Sequence, residues 1–137
     1  MYQENILDYY KNPRNQGKMR DATIHNNQFN PLCGDQVEVF LKMDGKKISK
    51  MTFFGHGCAI SQAASSMLAE SMEGKKIEDA KKFTPNHMIE MLGIEISPAR
   101  LKCALLSSRA MKEGVYHYLK EDKIEMNKKL VKEGFIF

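Results

Sequence analysis

The chain has 137 residues, of which 42% are hydrophobic and 28% are charged, a composition typical of one globular domain. No apolar run approaches the roughly 20 residues of a membrane-spanning helix, and the start lacks a signal peptide, so we expect a cytoplasmic protein without a membrane partner. The net charge of +4 comes from scattered lysines without an arginine-rich arm, which argues against a nucleic-acid partner.

A short helix and a weak strand are the first predicted elements. Residues 2–10 form an amphipathic pattern that predicts a helix, and Asn12-Pro13 and Gly17 predict the turn that follows. A strand around Arg20–Asn26 is weakly patterned.

The clearest pattern in the sequence is a β-hairpin. Val37, Val39 and Leu41 alternate with Gln36, Glu38 and Phe40, and Asp44-Gly45 supplies the turn dipeptide. Residues 48–54 return as the partner strand. This hairpin fixes where the residues just before and just after it must lie.

The second half of the chain is predicted to be helical. An apolar stripe begins at Ala59 and ends at Gly74, and Thr84-Pro85 and Gly93 bracket a short helix. Ser97-Pro98 opens a longer helix that runs to about Gly114. Strands followed by helices predict an α+β fold, a small antiparallel sheet of about three strands packed on one side by several helices.

The charged end of the chain is predicted to be a peripheral helical tail over residues 121–137 of a single domain, 1–137. Its apolar anchors are Leu130, Val131, Phe135 and Ile136.

Three cysteines, an odd number, argue against a disulfide framework. The start of the first hairpin strand lies beside the end of the second, so Cys33, Asp35 and Cys58 are expected at one edge of the sheet. Cys58 also begins a helix, where unpaired N–H groups and the helix dipole favour a thiolate.

Cys103 would complete the set if the first turns of its helix pack over the same edge. Three thiolates and a carboxylate suit Zn²⁺, and the thiolates suit iron–sulfur chemistry. The spacing is not that of a zinc finger, because no two cysteines lie close together in the sequence. Three buried cysteines acting as small hydrophobic residues therefore remain an open alternative.

Four segments of the sequence together carry a family resemblance. The first is Tyr9–Gly17 (YYKNPRNQG), and the other three each contain one cysteine: Asn30–Asp35 (NPLCGD), Phe53–Met67 (FFGHGCAISQAASSM) and Ser97–Leu106 (SPARLKCALL). They resemble, in order, the N-terminal signature and the three cysteine motifs of the U-type iron–sulfur cluster assembly scaffolds, named IscU, SufU or the NifU N-terminal domain. The resemblance reaches to about residue 120 and implies the SufE/NifU type of fold.

The resemblance implies a scaffold or carrier without classical enzyme turnover. Such a protein accepts sulfur from a PLP-dependent cysteine desulfurase, builds a transient [2Fe–2S] cluster and passes it to apo-proteins or carrier proteins. The ligand set of the family carries over to Cys33, Asp35, Cys58 and Cys103. Family members are often isolated with Zn²⁺ in this site instead of iron. The alternative is a SufU-like, zinc-dependent sulfurtransferase in which Cys103 accepts persulfide sulfur.

One departure separates the two interpretations. Cluster-building members usually carry His immediately before the third cysteine, where this chain has Lys102, a feature that resembles the SufU branch. SufU proteins, however, have an insertion before that cysteine, and this chain has only a short Lys75–Ser97 segment there. We expect Lys102 and Arg100 to offset the negative charge of the ligand set, and His56 to occupy a bend rather than bind metal.

Overall fold

A computed structural model describes residues 4–31, 34–120 and 123–135. In these ranges the chain forms three strands and six helices. In chain order they are α1 (Glu4–Lys11), β1 (Ile24–Phe29), β2 (Gln36–Asp44), β3 (Lys47–His56), α2 (Ala59–Met72), α3 (Ile77–Lys81), α4 (Pro85–Leu92), α5 (Pro98–Tyr118) and α6 (Lys123–Glu133). None of the helices described is long and apolar enough to cross a membrane.

The strands form one antiparallel sheet in the order β1-β2-β3. The alternating residues Val37, Val39 and Leu41 of the central strand are buried, as the pattern predicts. They lie on the sheet face that α2 and α5 cover, and these two helices also contact each other. The α+β fold, with helices packed on one side of a three-stranded sheet, is confirmed.

Helix α2 can approach the sheet closely because its buried face is built from small side chains. Ala63, Ala64 and Ala69 are completely buried. On α5, Gly114 lies inside the helix rather than at its end. A Cβ atom at this position would stand 2.8 Å from Cγ2 of Ile24, so the glycine lets α5 pack closely on β1. The predicted end of this helix at about Gly114 was therefore too early, and α5 continues to Tyr118.

Strand β1 differs from its prediction around Arg20–Asn26, because it runs from Ile24 to Phe29. Two amides on this strand bond to α5. Asn26 Nδ2 donates to the carbonyl oxygen of Ala110 at 2.8 Å, and Gln28 Nε2 donates to Glu113. Side-chain bonds to a helix thus replace the apolar alternation that would have made this strand visible in the sequence.

The tail helix α6 is anchored by a buried cation rather than by apolar contacts alone. Lys112 on α5 has no exposed surface, donates to the carbonyl oxygen of Phe83 at 2.8 Å and pairs with Glu133. The Tyr116 hydroxyl donates to the same carboxylate at 2.9 Å. Glu133 therefore helps to fix the end of α6 on α5, together with Arg109 of α5, whose Nη1 donates to the carbonyl oxygen of Phe135 at 3.0 Å.

The apolar anchors predicted for the tail are only partly correct. Leu130 and Phe135 are buried, as expected, whereas Val131 is 55% exposed, since adjacent residues of a helix point about 100° apart. Ile136 lies outside the described residues.

We predict that Lys112→Ala lowers the free energy of unfolding by about 3 kcal/mol, since it leaves Glu133 without its cation and opens a cavity. Lys128→Ala is the matched control: its side chain is 70% exposed on α6, and we expect a change within about 0.5 kcal/mol. Urea unfolding measures both. Equal effects of the two substitutions would contradict the anchoring role of Lys112.

The same pair predicts a pH dependence. Burial lowers the pKa of Lys112 despite the opposing effect of Glu133. Between this lowered pKa and the ordinary lysine value, the unfolded chain binds more protons than the folded chain. The unfolding free energy of the wild type, measured relative to Lys112→Met, should therefore rise with pH across that interval.

Candidate metal centre

The pairing of β2 with β3 brings two sequence-predicted site residues to one edge of the sheet. Gln36, the first residue of β2, lies opposite His56, the last residue of β3. Asp35 immediately precedes Gln36, and Cys58 follows His56 by two residues. Both side chains therefore belong to the same edge, as the hairpin predicts. We call this end of the sheet the metal edge.

The first turns of α5 bring a third side chain to this edge. Single ligand atoms of Asp35, Cys58 and Cys103 all lie within 4.8 Å of one another. Cys103 and Asp35 are buried, while Cys58 is half-buried. Among the residues described, this is the one group of three or more Cys, His, Asp or Glu side chains arranged to hold a metal ion.

The carboxylate of Asp35 supports a bound cation. Its Oδ2 atom is buried and has no hydrogen-bond partner among the residues that the structure describes. A buried carboxylate oxygen without a partner is costly. A cation at this position would remove that cost, and two sulfur atoms with one oxygen form a donor set that suits zinc or iron. The residues present therefore fit a metal ion.

Two glycines allow the edge to close. A Cβ atom at Gly55 would lie 2.1 Å from the carbonyl oxygen of Gln36. A Cβ atom at Gly57 would lie 2.8 Å from Cγ of Asp35 and 2.9 Å from Oγ of Ser61. Gly57 thus leaves room for the Asp35 carboxylate beside α2, a role that the glycine-rich bend alone did not reveal.

Cys58 is the residue that precedes the first turn of α2, and its side chain makes no capping hydrogen bond. The sulfur atom is therefore not used to cap the helix. It remains available to bind a metal ion together with Asp35 and Cys103.

Cys33 lies outside the described residues. The ends of its loop are close together, because the Asn30 N–H donates to the carbonyl oxygen of Asp35 and the Gly34 N–H donates to that of Asn30, both at 2.8 Å. This short closure holds Asp35 in place at the start of β2.

The remaining predicted site residues lie around the group rather than in it. His56 is exposed and is not one of the three grouped residues. Lys102 is half-buried and lines a cavity of about 270 Å³ together with Asn30 and Pro31. Arg100 is exposed one turn before Cys103. Lys102 therefore lies beside the chain segment that leads into the metal edge.

Comparison with known proteins gives one family and several relatives. The model of the NifU-like N-terminal domain matches residues 1–125. The zinc-dependent sulfurtransferase SufU of Bacillus subtilis is 38% identical, over 84% of this chain and 89% of its own length. The scaffold protein IscU 1 of Archaeoglobus fulgidus is 34% identical, over 95% of this chain and 85% of its own.

A solved structure has the same fold. It is the crystal structure of a protein from Fervidobacterium islandicum described as an iron–sulfur cluster assembly scaffold for the SUF system. The two superpose with a TM-score of 0.70 at 32% identity, over 83% of this chain and 96% of the other.

We predict that Gly57→Ala weakens zinc binding by about 10- to 100-fold while the chain still folds, because the new methyl group displaces the Asp35 carboxylate. Competition with a chromophoric chelator measures the affinity. Gly114→Ala is the control, since its methyl group meets Ile24 in the core instead.

The control should lose unfolding free energy and keep its zinc affinity. If Gly57→Ala bound zinc as tightly as the wild type, Asp35 would not be a ligand in this arrangement.

Proposed function

The chain belongs to the NifU-like N-terminal domain family, and on this basis we propose that it is an iron–sulfur cluster assembly scaffold. It accepts sulfur from a PLP-dependent cysteine desulfurase, carries a transient [2Fe–2S] cluster on Cys33, Asp35, Cys58 and Cys103, and delivers it to apo-proteins. The observation that carries the proposal is the convergence of Asp35, Cys58 and Cys103 within 4.8 Å.

The mixture of donor atoms suits a carrier. Thiolates bind iron or zinc ions firmly. A carboxylate oxygen is a harder ligand and binds the same ions less strongly. Asp35 is therefore the ligand expected to dissociate first. The half-exposed Cys58 leaves the site open to a partner, unlike a closed structural zinc site.

A second candidate function is that of a zinc-dependent sulfurtransferase. It is favoured by the similarity to the Bacillus subtilis protein of that name and by Lys102 in front of the third cysteine. In this reaction the thiolate of Cys103 attacks the terminal sulfur of the donor's persulfide. A new S–S bond forms on Cys103, the donor's S–S bond breaks, and the donor leaves as a thiolate without net oxidation.

The two thiols differ in access. Cys103 is buried, with 2% of its surface exposed, and Cys58 is half-buried. We propose Cys103 as the acceptor, which requires that the site opens when the desulfurase docks. Replacing Cys58 and Cys103 one at a time distinguishes the two candidate acceptors.

Neighbouring cations are proposed to stabilise the loaded site. Thiolates and a carboxylate around a divalent metal leave a net negative charge, which is costly near a protein interior. The half-buried Lys102 beside Asn30 and Pro31, and Arg100 one turn before Cys103, are placed to reduce that cost. A protonated lysine cannot bind metal, so release of the cargo should depend on Asp35.

The proposed docking side for the desulfurase includes the N-terminal helix. Arg14 stacks 4.0 Å from the centre of the Tyr9 ring, and the Tyr9 hydroxyl donates to Glu70 of α2 at 2.7 Å. These contacts hold α1 on α2. Tyr10 remains 44% exposed and lines an open cleft with His56 next to the metal edge, a suitable anchor for a partner.

Anaerobic reconstitution with ferrous iron, cysteine and a cysteine desulfurase tests the two functions. As a scaffold, the wild type should develop the visible absorption of a [2Fe–2S] centre and transfer it to an apo-ferredoxin. Cys58→Ser and Cys103→Ser should lose this absorption, and His56→Ala, two residues before Cys58, should keep it. Lys102→Ala should shorten the lifetime of the centre.

If no iron–sulfur absorption developed but zinc-loaded protein accepted sulfur on Cys103, the sulfurtransferase would be the correct function. Full activity in both assays after Cys58→Ser would contradict either use of this site.

A further inference from the structure

The end of the sheet opposite the metal edge joins two lysine-rich segments. The N–H of Ile48 donates to the carbonyl oxygen of Lys75, and the N–H of Gly74 donates to that of Ile48, both at 2.7 Å. The N–H of Ile77 donates to the carbonyl oxygen of Lys46 at 2.8 Å. Backbone hydrogen bonds therefore join the start of β3 to the segment between α2 and α3.

This pairing creates a group that we call the lysine ladder, made of Lys46, Lys47, Lys75 and Lys76. All four residues are exposed, and Lys47 lies opposite Lys76 in an antiparallel bridge. Like charges directly opposite each other destabilise such a pair. None of the four forms an ion pair with a carboxylate of the described residues.

The acidic residues around the ladder do not neutralise it by contact. Asp79 accepts a hydrogen bond from the backbone N–H of Lys76 at 3.1 Å, and Glu73 accepts from Asn15. Asp44 lies opposite Lys47 at the turn end of the hairpin, and Glu78 is exposed nearby. Neither carboxylate makes an ion pair with the ladder. The lysine charges are thus available to an external partner.

An apolar cleft of about 490 Å³ begins at the ladder. Lys75 belongs to both, and the apolar wall of the cleft is formed by Met72, Phe83 and Met91. Its further charged or titratable residues are Asp79, Lys82, His87 and Glu90. Because these residues carry charges of both signs, the cleft itself does not select the sign of a partner's charge. The lysines of the ladder favour a negatively charged partner.

We propose that the lysine ladder and this cleft together bind an acidic segment of a partner protein. Carboxylates of the segment face the ladder, and an apolar side chain enters the cleft. The complementary charge of the ladder identifies the occupant as acidic, and the cleft adds an apolar contact that a solvated row of lysines would not provide.

Two other anionic partners fit the surface less well. The described residues of the ladder and its flanks expose no large apolar side chain, because Ile48 and Ile77 are buried, and membrane-surface binding needs such a side chain. The ladder also contains neither arginine nor an aromatic ring, which nucleic-acid surfaces use for bases and phosphates.

The ladder is remote from the metal edge. The nine residues of β2 separate the two ends of the sheet by about 30 Å, at roughly 3.3 Å per residue. A partner held at the ladder therefore leaves Asp35 and Cys58 accessible. This inference does not depend on the chemistry of the metal site, and it fails or holds independently of the proposed function.

The test is an NMR titration of ¹⁵N-labelled protein, at low salt, with a ten-residue glutamate peptide that carries one central leucine. Amide shifts should change at residues 46–48 and 74–77 and stay unchanged at residues 55–58. Lys47→Glu/Lys76→Glu should weaken binding by at least about tenfold. Lys128→Glu/Lys132→Glu makes the same change in net charge on α6 and should stay within about twofold.

Three outcomes would overturn the proposal. One is equal loss of affinity in both double variants, which would indicate a general charge effect. The second is a shift pattern centred on the metal edge. The third is tighter binding of phosphatidylserine vesicles or of a DNA duplex than of the peptide through the same lysines.

Discussion

The antiparallel pairing of β2 with β3 is the constraint on which the rest of the molecule depends. Its register places the start of one strand beside the end of the other, so Gln36 lies opposite His56. The irregularity of the pairing, between Lys42 and Met43, is confined to the turn end. The same hairpin therefore has the metal edge at one end and, at the other, Lys46 and Lys47 of the lysine ladder.

The electrostatic character of the metal edge follows from the burial of the Asp35 carboxylate. A buried carboxylate oxygen without a partner is an unfavourable group in a folded protein. A cation that binds only the folded chain would stabilise it by mass action. The fold thus accepts a local cost at Asp35 that a bound metal removes, which is the pattern expected where function rather than stability selects the residues.

The sequence predicts those parts of the structure that depend on local patterns. Alternation in Val37–Leu41 and the turn at Asp44-Gly45 place Asp35 and Cys58 together, whereas the position of Cys103 depends on how α5 packs, which only the family resemblance supplied. Long-range contacts could not be foreseen either. Lys112 reads as a surface residue because its partner, Glu133, is far along the chain, and Gly57 acquires its role only from the nearby Asp35.

X-ray absorption at the zinc edge of the zinc-loaded protein tests the central claim, that the edge is a metal site, most directly. We expect sulfur neighbours at about 2.3 Å with an oxygen neighbour at about 2.0 Å. Cys58→Ser and Cys103→Ser should each reduce the sulfur signal, and His56→Ala should leave it unchanged. A spectrum with only nitrogen and oxygen neighbours, or one unaffected by both cysteine substitutions, would contradict the account.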